Sequence, residues 1–236
     1  LAQGREFVWT NADFARVQAL RYQRAGISLH DGKHAMVYSR LSRRLRETGH
    51  TSFKTYLDAL EQHDGPEWQE FINALTTNLT AFFREGHHFP VLTDHARRCS
   101  GEYRVWSAAA STGEEPYSIA ITLADTLGMA PGRWRVFASD IDTEVLEKAR
   151  NGIYRLDELK TLSPQQLQRY FMRGTGPHEG LVRVCPELAS HVEFSSVNLL
   201  DKKYNVPGPF DAIFCRNVMI YFDKTTQQDI LHRFVP

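Results

Sequence analysis

Cysteine is scarce in this chain, and its few cysteines are far apart. Among 236 residues only Cys99, Cys185 and Cys215 occur, and they form neither a disulfide framework nor the paired spacing of a metal site. The histidines are scattered, and the adjacent pair His87 and His88 would point apart on a helix. We therefore expect no metal site, and a reducing cytoplasm as the location.

Long apolar runs and an excess of one charge are also missing. No stretch of about 18 apolar residues occurs, so we expect no segment that inserts into a membrane. The first residues, LAQGREFVWT, lack the apolar core of a signal peptide. The 28 Lys and Arg residues balance 28 Asp and Glu residues, which gives no general support for nucleic-acid binding.

The balanced charge hides an uneven distribution. Residues 14–57 contain nine Lys and Arg residues against two acids, whereas residues 58–75 contain five acids and no Lys or Arg. A helix predicted from about residue 33 to 48 would bury Val37, Leu41 and Leu45. Its opposite side carries the basic residues Lys33, Arg40, Arg43, Arg44 and Arg46. With few acids nearby, this side would complement an acidic partner; the alternative is a charged face that is merely solvated.

The first part of the chain has the signals of four helices. Asn11 is expected to cap the first helix, which would run toward Arg24. Thr51 or Ser52 would cap the third, and Pro66 would lie in the first turn of the fourth. The helical part is predicted to end near residue 95.

An alternation of strands and helices follows. Buried-strand patterns occur at residues 103–108, 134–139, 192–197 and 210–215. Helices predicted over 114–127 and 143–150 follow the first two strands, which indicates a parallel sheet with crossover helices. Residues 155–190 interrupt this order with short polar pieces and predict a small β-rich insertion.

Small and acidic residues follow the first two predicted strands. In the segment SAAASTGEEP, which starts at Ser107, small side chains let the backbone approach a ligand and a helix begins with unpaired N–H groups. Asp140, at the end of the next strand, is placed to bond ribose hydroxyls. The carboxyl ends of parallel strands form one crevice, so both segments should converge there.

Glycine is nearly missing from this loop. Only Gly113 is present, so the fingerprint G-x-G-x-x-G does not occur, and Glu114 and Glu115 would repel a pyrophosphate. S-adenosylmethionine lacks phosphate and carries cationic groups, which these acids suit. The alternative is that Ser111 and Thr112 only cap a helix.

Two further segments are rich in polar groups. In TTNLTAFFRE, residues 76–85, hydrogen-bonding side chains alternate with aromatic ones. In DAIFCRNVMIY a buried strand ends in Arg216 and Asn217, where nucleotide-type sheets border the reacting atoms. The alternatives are ordinary helix starts capped by Thr80 and by Asn217, with Tyr221 as a packing residue.

Together these segments resemble the CheR family, the chemotaxis-receptor glutamate O-methyltransferases. TTNLTAFFRE, SAAASTGEEPYSIA, FASDIDTEVLEKA and FDAIFCRNVMIYF stand in the order and spacing of that family, most closely its enterobacterial members. The resemblance implies an α/β fold with an all-helical receptor-recognition domain (1–76), a linker and helix that contribute to the cofactor site (77–95) and a Rossmann-like methyltransferase domain (96–236). A small antiparallel β-subdomain would be inserted at about 155–190. Family chains continue past the equivalent of residue 236, so we expect the last strands of the sheet to be missing.

The resemblance also implies the site residues. The cofactor S-adenosylmethionine, with S-adenosylhomocysteine as product, would be bound by Asn78, Thr80, Arg84, Glu115, Asp140, Asn198, Leu199, Arg216 and Asn217. Asn198 and Leu199 would border the adenine. Arg84 and Tyr221 would face the reacting methyl group as the catalytic residues.

Transmembrane chemoreceptors are the implied partners, and methylation of their glutamates for adaptation in bacterial chemotaxis is the implied function. The basic helix is similar to the one that docks on the cytoplasmic methylation helices of the receptor. The inserted subdomain resembles one that grips the receptor's C-terminal tail in some members. A nucleic-acid methyltransferase is one rival, although the strand end reads CRNVMIY and not D/N-P-P-Y. A non-enzymatic adaptor is the other, and turnover separates it from an enzyme.

Overall fold

A computed structural model describes residues 6–235 of the chain, which form two compact units. The first unit combines the described residues up to Thr77 with Asn198–Lys202 and the residues from Asn217 onward. The second unit consists of Asn78–Val197 and Lys203–Arg216. Neither unit is one continuous stretch of sequence.

The first unit begins with the helices α1 (Asn11–Ala25), α2 (His34–Thr48), α3 (Phe53–Gln62) and α4 (Glu67–Leu75). The prediction that Asn11 caps α1 is wrong, because the N-cap is Thr10. The Thr10 hydroxyl accepts from the Asp13 N–H, and the Asp13 carboxylate accepts from the Thr10 N–H. Ser52 caps α3, as expected. Pro66 is the residue before α4 and does not lie in its first turn.

The apolar side of α2 is confirmed. Val37, Leu41 and Leu45 are fully buried, since their spacing places them on one face of the helix. A short 3-10 helix, Asp31–Lys33, precedes α2. The helix ends at Gly49, whose φ of 74° is a left-handed conformation that glycine adopts readily.

The second unit holds the strands of the described chain: β1 (Tyr103–Ser107), β2 (Trp134–Asp140), β3 (Ile153–Arg155), β4 (Phe171–Arg173), β5 (Leu181–Val184), β6 (Val192–Ser196) and β7 (Ala212–Phe214). A parallel sheet has the order β6-β2-β1-β7, which confirms the predicted sheet. An antiparallel sheet has the order β3-β5-β4. We call residues 153–190, which contain the antiparallel sheet, the inserted region.

The remaining helices are α5 (His88–Arg98), α6 (Glu114–Leu127), α7 (Thr143–Asn151), α8 (Pro164–Tyr170), α9 (Pro186–Ala189) and α10 (Lys224–Phe234). Of these, α10 belongs to the first unit. The bounds of α6 match the predicted ones, because Gly113 precedes the helix and Gly128 ends it.

Helix α6 is the buried centre of the second unit. Its residues from Pro116 to Ala124 are all buried, because the helix packs on the parallel sheet and also against α5 and α9. A helix covered on several sides has no need of a polar face. Among the described residues, none of the helices combines the length and apolarity needed to cross a membrane.

Candidate active site

The turn between β1 and α6 carries the small residues of the expected cofactor loop. Ala108 and Ala110 are buried, and Ser111 and Gly113 have positive φ angles of 48° and 100°. A Cβ atom on Gly113 would lie 2.6 Å from the Tyr154 hydroxyl oxygen, so a side chain does not fit there. The loop therefore requires glycine at this position, while alanine is accommodated at the earlier ones.

Asp140 lies at the end of β2 and binds both the loop after β1 and the turn after its own strand. Its Oδ2 accepts from the Ser111 N–H at 2.8 Å, and its Oδ1 accepts from the Asp142 N–H at 3.0 Å. Burial raises the pKa of Asp140 to about 6, although these hydrogen bonds favour the carboxylate. Each carboxylate oxygen keeps a second lone pair, so Asp140 can still accept a ribose hydroxyl. The alternative in which Ser111 and Thr112 cap α6 is wrong, because the N-cap residue is Gly113.

Asn78 lies beside the same strand ends. Its Nδ2 donates to Asp142 Oδ2 at 2.8 Å, and its carbonyl accepts from the Ser111 hydroxyl at 3.3 Å. Sequence reasoning missed Asp142, which also caps α7; its place two residues after Asp140 was the available signal. Thr80 is half-buried in the same irregular stretch, and it does not cap a helix because the next helix is α5.

Arg84 lies in a turn between two residues with left-handed backbone. Phe83 and Glu85 have φ angles of 53° and 54°, which are unfavourable for residues with a Cβ atom. The Phe83 N–H donates to the Ser118 hydroxyl of α6 at 2.9 Å. Arg84 Nη1 donates to the Leu79 carbonyl at 2.8 Å. The guanidinium has further N–H groups with which it can bind another acceptor.

The side chain of Arg216 joins the end of β7 to this turn. Its Nη1 donates to the Glu115 carboxylate at 3.2 Å, and its Nη2 donates to the Arg84 carbonyl at 2.6 Å. Nη2 also donates to the Glu85 carboxylate at 3.0 Å. Glu115 accepts a further hydrogen bond from the Ser107 hydroxyl at 2.9 Å. The structure therefore brings three expected cofactor residues together, namely Arg84, Glu115 and Arg216.

The electrostatics of the loop differ from the sequence expectation of two acids available to a cationic ligand. Glu115 is already paired with Arg216, and both side chains are largely buried, at 13% and 12% exposure. Burial raises the pKa of Glu115, while Ser107 and Arg216 oppose that shift. Burial also raises the pKa of Glu114, whose carboxylate accepts from a threonine hydroxyl. The loop therefore carries an ion pair between the Glu115 carboxylate and the Arg216 guanidinium.

The thiol beside this cluster is not a nucleophile at neutral pH. Burial raises the pKa of Cys215 to about 12, and the nearby Glu115 carboxylate adds to the shift. Because the thiolate is the reactive form of cysteine, Cys215 stays inert. A route through a covalent intermediate on this residue is therefore not supported.

Four expected site residues lie in the first unit, and Asn198 and Leu199 are two of them. Asn198 Nδ2 donates to the Arg24 carbonyl at 2.8 Å, and its Oδ1 accepts from the Leu200 N–H at 3.0 Å. Leu199 is buried, and its carbonyl accepts from Arg233 at 2.8 Å. Both polar groups of the Asn198 side chain therefore hold local structure.

Asn217 and Tyr221 are the other two expected site residues that lie in the first unit. Asn217 has a φ of 57°, and Tyr221 ends a short 3-10 helix. The Tyr221 carbonyl accepts from the Ser28 N–H at 3.0 Å. The alternative of a helix capped by Asn217 is wrong, because the next α-helix is α10 and its cap is Asp223. The ligand-binding roles of all four residues stay predictions.

Arg44, on the expected partner-binding side of α2, is engaged within the first unit. Its Nη2 lies 2.6 Å from Glu67 and its Nη1 lies 3.5 Å from Glu70, and it also pairs with Glu47. The side chain is only 16% exposed. The hydrogen bond with Glu67 raises the pKa of Arg44. The expectation of a basic face with few acids nearby is therefore wrong at this residue.

The other basic residues of this side are exposed. The Arg43 side chain is 75% exposed, although it pairs with Glu47 at 2.8 Å. Lys33, Arg40 and Arg46 are also exposed. Arg40 donates to the Ala74 and Thr76 carbonyls, and Arg46 pairs with Glu6 at 3.1 Å. The role of these four exposed residues in binding a partner stays a prediction.

A parallel strand leads through small residues into a buried helix, and carboxylates lie at two strand ends, so the carboxyl edge of this sheet is suited to bind a ligand. Two family models match the chain: "CheR methyltransferase, all-alpha domain" over residues 12–76, and "CheR methyltransferase, SAM binding domain" over residues 78–236. The chain belongs to the CheR methyltransferase family. Its methyl donor is S-adenosylmethionine, which suits the small buried side chains of the loop and the remaining acceptor capacity of Asp140.

Chemotaxis protein methyltransferases of several bacteria are similar to this chain along most of its length. A chemotaxis protein methyltransferase of Salmonella typhimurium is 78% identical over 228 residues, which cover 96% of this chain and 79% of the relative. One from Escherichia coli is 76% identical over 229 residues, covering 96% and 80%. Chemotaxis protein methyltransferase 2 of Pseudomonas aeruginosa is 54% identical over 233 residues, covering 98% and 83%.

Proposed function

We propose that this chain transfers the methyl group of S-adenosylmethionine to glutamate side chains of transmembrane chemoreceptors. The reaction would take place in the cytoplasm during adaptation in chemotaxis. The high identity to chemotaxis protein methyltransferases supports the proposal. The observation that carries it is the position of Arg84. Arg216, which pairs with Glu115, binds the Arg84 backbone carbonyl, and the Arg84 guanidinium has donors besides the one that binds Leu79.

A glutamate substrate needs no general base. Its carboxyl group, with a pKa of about 4.3, is already ionised at neutral pH. When bound, S-adenosylmethionine would supply a methyl group on a sulfonium. An ester C–O bond would form as the C–S bond breaks, and S-adenosylhomocysteine would remain. The chain has to align the incoming carboxylate, and good alignment can lower a barrier by about 7–11 kcal/mol.

We assign the alignment of the carboxylate to Arg84. A planar guanidinium binds a carboxylate through two parallel hydrogen bonds. Arg84 is anchored at Nη1 by the Leu79 carbonyl and at its own carbonyl by Arg216, which limits its movement. Tyr221 is the second proposed catalytic residue and would border the methyl group.

The proposed receptor-binding surface consists of the exposed basic residues of α2, Lys33, Arg40, Arg43 and Arg46. An acidic helix that bears methylatable glutamates would be complementary to them. Arg44 is left out of this surface because its side chain is only 16% exposed and pairs with Glu67 and Glu70 of its own unit. The inserted region is proposed to bind a receptor tail, which rests on the family resemblance alone.

The test is transfer of radiolabelled methyl groups from S-adenosylmethionine to receptor-containing membranes, followed by mild base. Label released as methanol identifies a carboxyl ester and supports the proposal. Label that resists base would instead show methylation of nitrogen or nucleic acid. Binding of S-adenosylhomocysteine without any transfer would leave a cofactor-binding adaptor.

A further inference from the structure

Tyr154 of β3 connects the inserted region to the cofactor loop. It is 6% exposed, and its hydroxyl donates to the Thr112 carbonyl at 2.8 Å. Thr112 lies between Ser111, whose N–H binds Asp140, and Gly113, where a Cβ atom would clash with this same hydroxyl. The tyrosine hydroxyl therefore fills the space beside the loop and holds one of its carbonyl groups.

The inserted region also contacts the stretch that carries Arg84. The Tyr154 and Phe82 rings meet edge to face, with centroids 4.9 Å apart. Phe171 of β4 also packs on the Phe82 ring, with centroids 5.8 Å apart. The Thr161 hydroxyl donates to the Phe82 carbonyl at 3.0 Å. Phe82, which is 1% exposed, is thus held by its ring and by its backbone, two residues before Arg84.

This support matters because the Arg84 turn has an unfavourable backbone. Left-handed residues other than glycine cost of order 1 kcal/mol each and persist only where their surroundings hold them. Phe83 and Glu85 are two such residues. Ser118 and Arg216 hold the turn from the parallel-sheet side, whereas Thr161 and Tyr154 hold it from the inserted region.

We propose that Tyr154 and Thr161 are positioning residues of methyl transfer, so that the inserted region shapes the cofactor loop and the Arg84 turn. Tyr154 sets the loop at Thr112, and Thr161 sets the turn at Phe82. The part that concerns Thr161 rests on the proposed role of Arg84, whereas the part that concerns Tyr154 needs only the cofactor.

The protonation of Tyr154 agrees with a constant donor role. Burial raises the pKa of its phenol well above the ordinary value, and the nearby Glu114 carboxylate adds to that shift. The hydroxyl therefore keeps its proton throughout the neutral range, and its hold on the loop does not vary with pH there.

Conservative variants separate the two positions. Tyr154→Phe and Thr161→Val each remove a hydroxyl and keep the shape. Tyr170→Phe is the matched control, because Tyr170 is a buried tyrosine of the same inserted region whose hydroxyl binds Asp125. The measurements are the affinity for S-adenosylhomocysteine by calorimetry, the single-turnover transfer rate at saturating cofactor, and thermal unfolding.

Tyr154→Phe is expected to weaken S-adenosylhomocysteine about two- to tenfold, as the loss of one hydrogen bond implies. Thr161→Val is expected to lower the single-turnover rate about two- to tenfold while the affinity for S-adenosylhomocysteine stays unchanged. Thr161→Ser, which keeps the hydroxyl, should restore the rate. Tyr170→Phe should change neither quantity.

Equal affinity of wild type and Tyr154→Phe, or equal losses in Tyr154→Phe and Tyr170→Phe, would overturn the Tyr154 assignment. A normal single-turnover rate in Thr161→Val would overturn the Thr161 assignment. If the wild type transfers no methyl group to receptor membranes, the proposed function fails, and the affinity measurement still decides the role of Tyr154. If Tyr154→Phe does not fold, the Thr161 pair decides whether the inserted region positions the site.

Discussion

The guanidinium groups of Arg84 and Arg216 belong to one network and have different tasks. Arg216 is largely buried between Glu115 and Glu85, and it binds the backbone carbonyl of Arg84. A change of the Arg84 side chain leaves that backbone hydrogen bond in place. The role of the Arg84 side chain in methyl transfer can therefore be tested without removing the hydrogen bond that holds the Arg84 backbone.

Arg84→Ala is expected to lower the single-turnover methyl-transfer rate about ten- to a hundredfold, the effect of losing a charged hydrogen bond. Calorimetry should show a much smaller change in affinity for S-adenosylhomocysteine. Arg97→Ala on α5 is the control, because Arg97 is an exposed arginine of the same unit. A full rate in Arg84→Ala would exclude the proposed role.

Asp140 makes the site sensitive to pH. Its pKa is raised to about 6, so the folded chain takes up a proton between about pH 4 and pH 6 that an unfolded aspartate, with a pKa of about 3.9, does not hold. The contribution of Asp140 to stability therefore falls as the pH rises through this window.

Cofactor binding should show the opposite trend at Asp140. If the carboxylate accepts the ribose hydroxyls, affinity for S-adenosylhomocysteine is full above about pH 6 and declines below it. Calorimetric titrations from about pH 5 to about pH 8 measure this, and Asp140→Asn should remove the decline. A wild-type affinity that is constant over this range would argue against ribose binding by Asp140.

Gly113→Ala is expected to lower the free energy of unfolding by about 1–3 kcal/mol, because it combines a strained backbone with a clash. Gly101→Ala is the matched control: its φ of 97° is similar, but its Cβ atom would have no neighbour within 4 Å. Urea unfolding of both variants separates the two effects. Equal losses would show that the contacts with Tyr154 and Ala149 contribute nothing.

At the scale of elements, α2 has a charged side whose residues differ in their contacts. Arg44→Ala removes a guanidinium with three carboxylate partners and should cost about 1–2 kcal/mol of stability in urea unfolding. Arg43→Glu replaces an exposed i,i+4 pair with Glu47 by two like charges, so it should cost less stability than Arg44→Ala, about 0.5–1 kcal/mol, and weaken methyl transfer to receptor membranes. If Arg43→Glu transfers methyl groups normally, α2 does not bind the receptor through this residue.

The elements themselves were predicted with good accuracy where the signal is local. The bounds of α6 follow from Gly113, Gly128 and the apolar run between them, and the strands of the parallel sheet follow from short buried runs. The cap of α1 was missed because Asn11 and Thr10 are both good cap residues, and only the reciprocal contact with Asp13 decides between them.

The contacts inside the site were harder to predict. The pairing of Glu115 with Arg216 joins residues that are far apart in sequence, and the partners of Arg44 come from another helix. A sequence shows that acids and bases are present but not which of them meet in the fold. The motifs therefore predicted the location of the cofactor loop, while its charge balance required the structure.

At the scale of the whole molecule, each unit is assembled from separated segments of the chain. In the first unit, Leu200 packs on Gly26, Asn198 donates to the Arg24 carbonyl, and the Tyr221 carbonyl accepts from Ser28. The end of α1 thus depends on residues that are distant in sequence.

A fragment that ends at Thr77 should therefore be less stable than the same helices in the full chain. Hydrogen exchange of the amides near the end of α1 is expected to be at least about tenfold faster in the fragment, which lacks those partners. Amides of α3 are the internal comparison. Equal protection of α1 in both molecules would show that the distant segments add no stability.

The close approach of Tyr154 to Gly113 has an evolutionary consequence. The hydroxyl occupies the space that a side chain at position 113 would need, so a change at one position alters what the other accepts. Across homologous chains these positions should covary: a larger residue than glycine at 113 should be accompanied by a smaller residue than tyrosine at 154 and, because the Ala149 Cβ lies 2.9 Å from the same place, by glycine at 149.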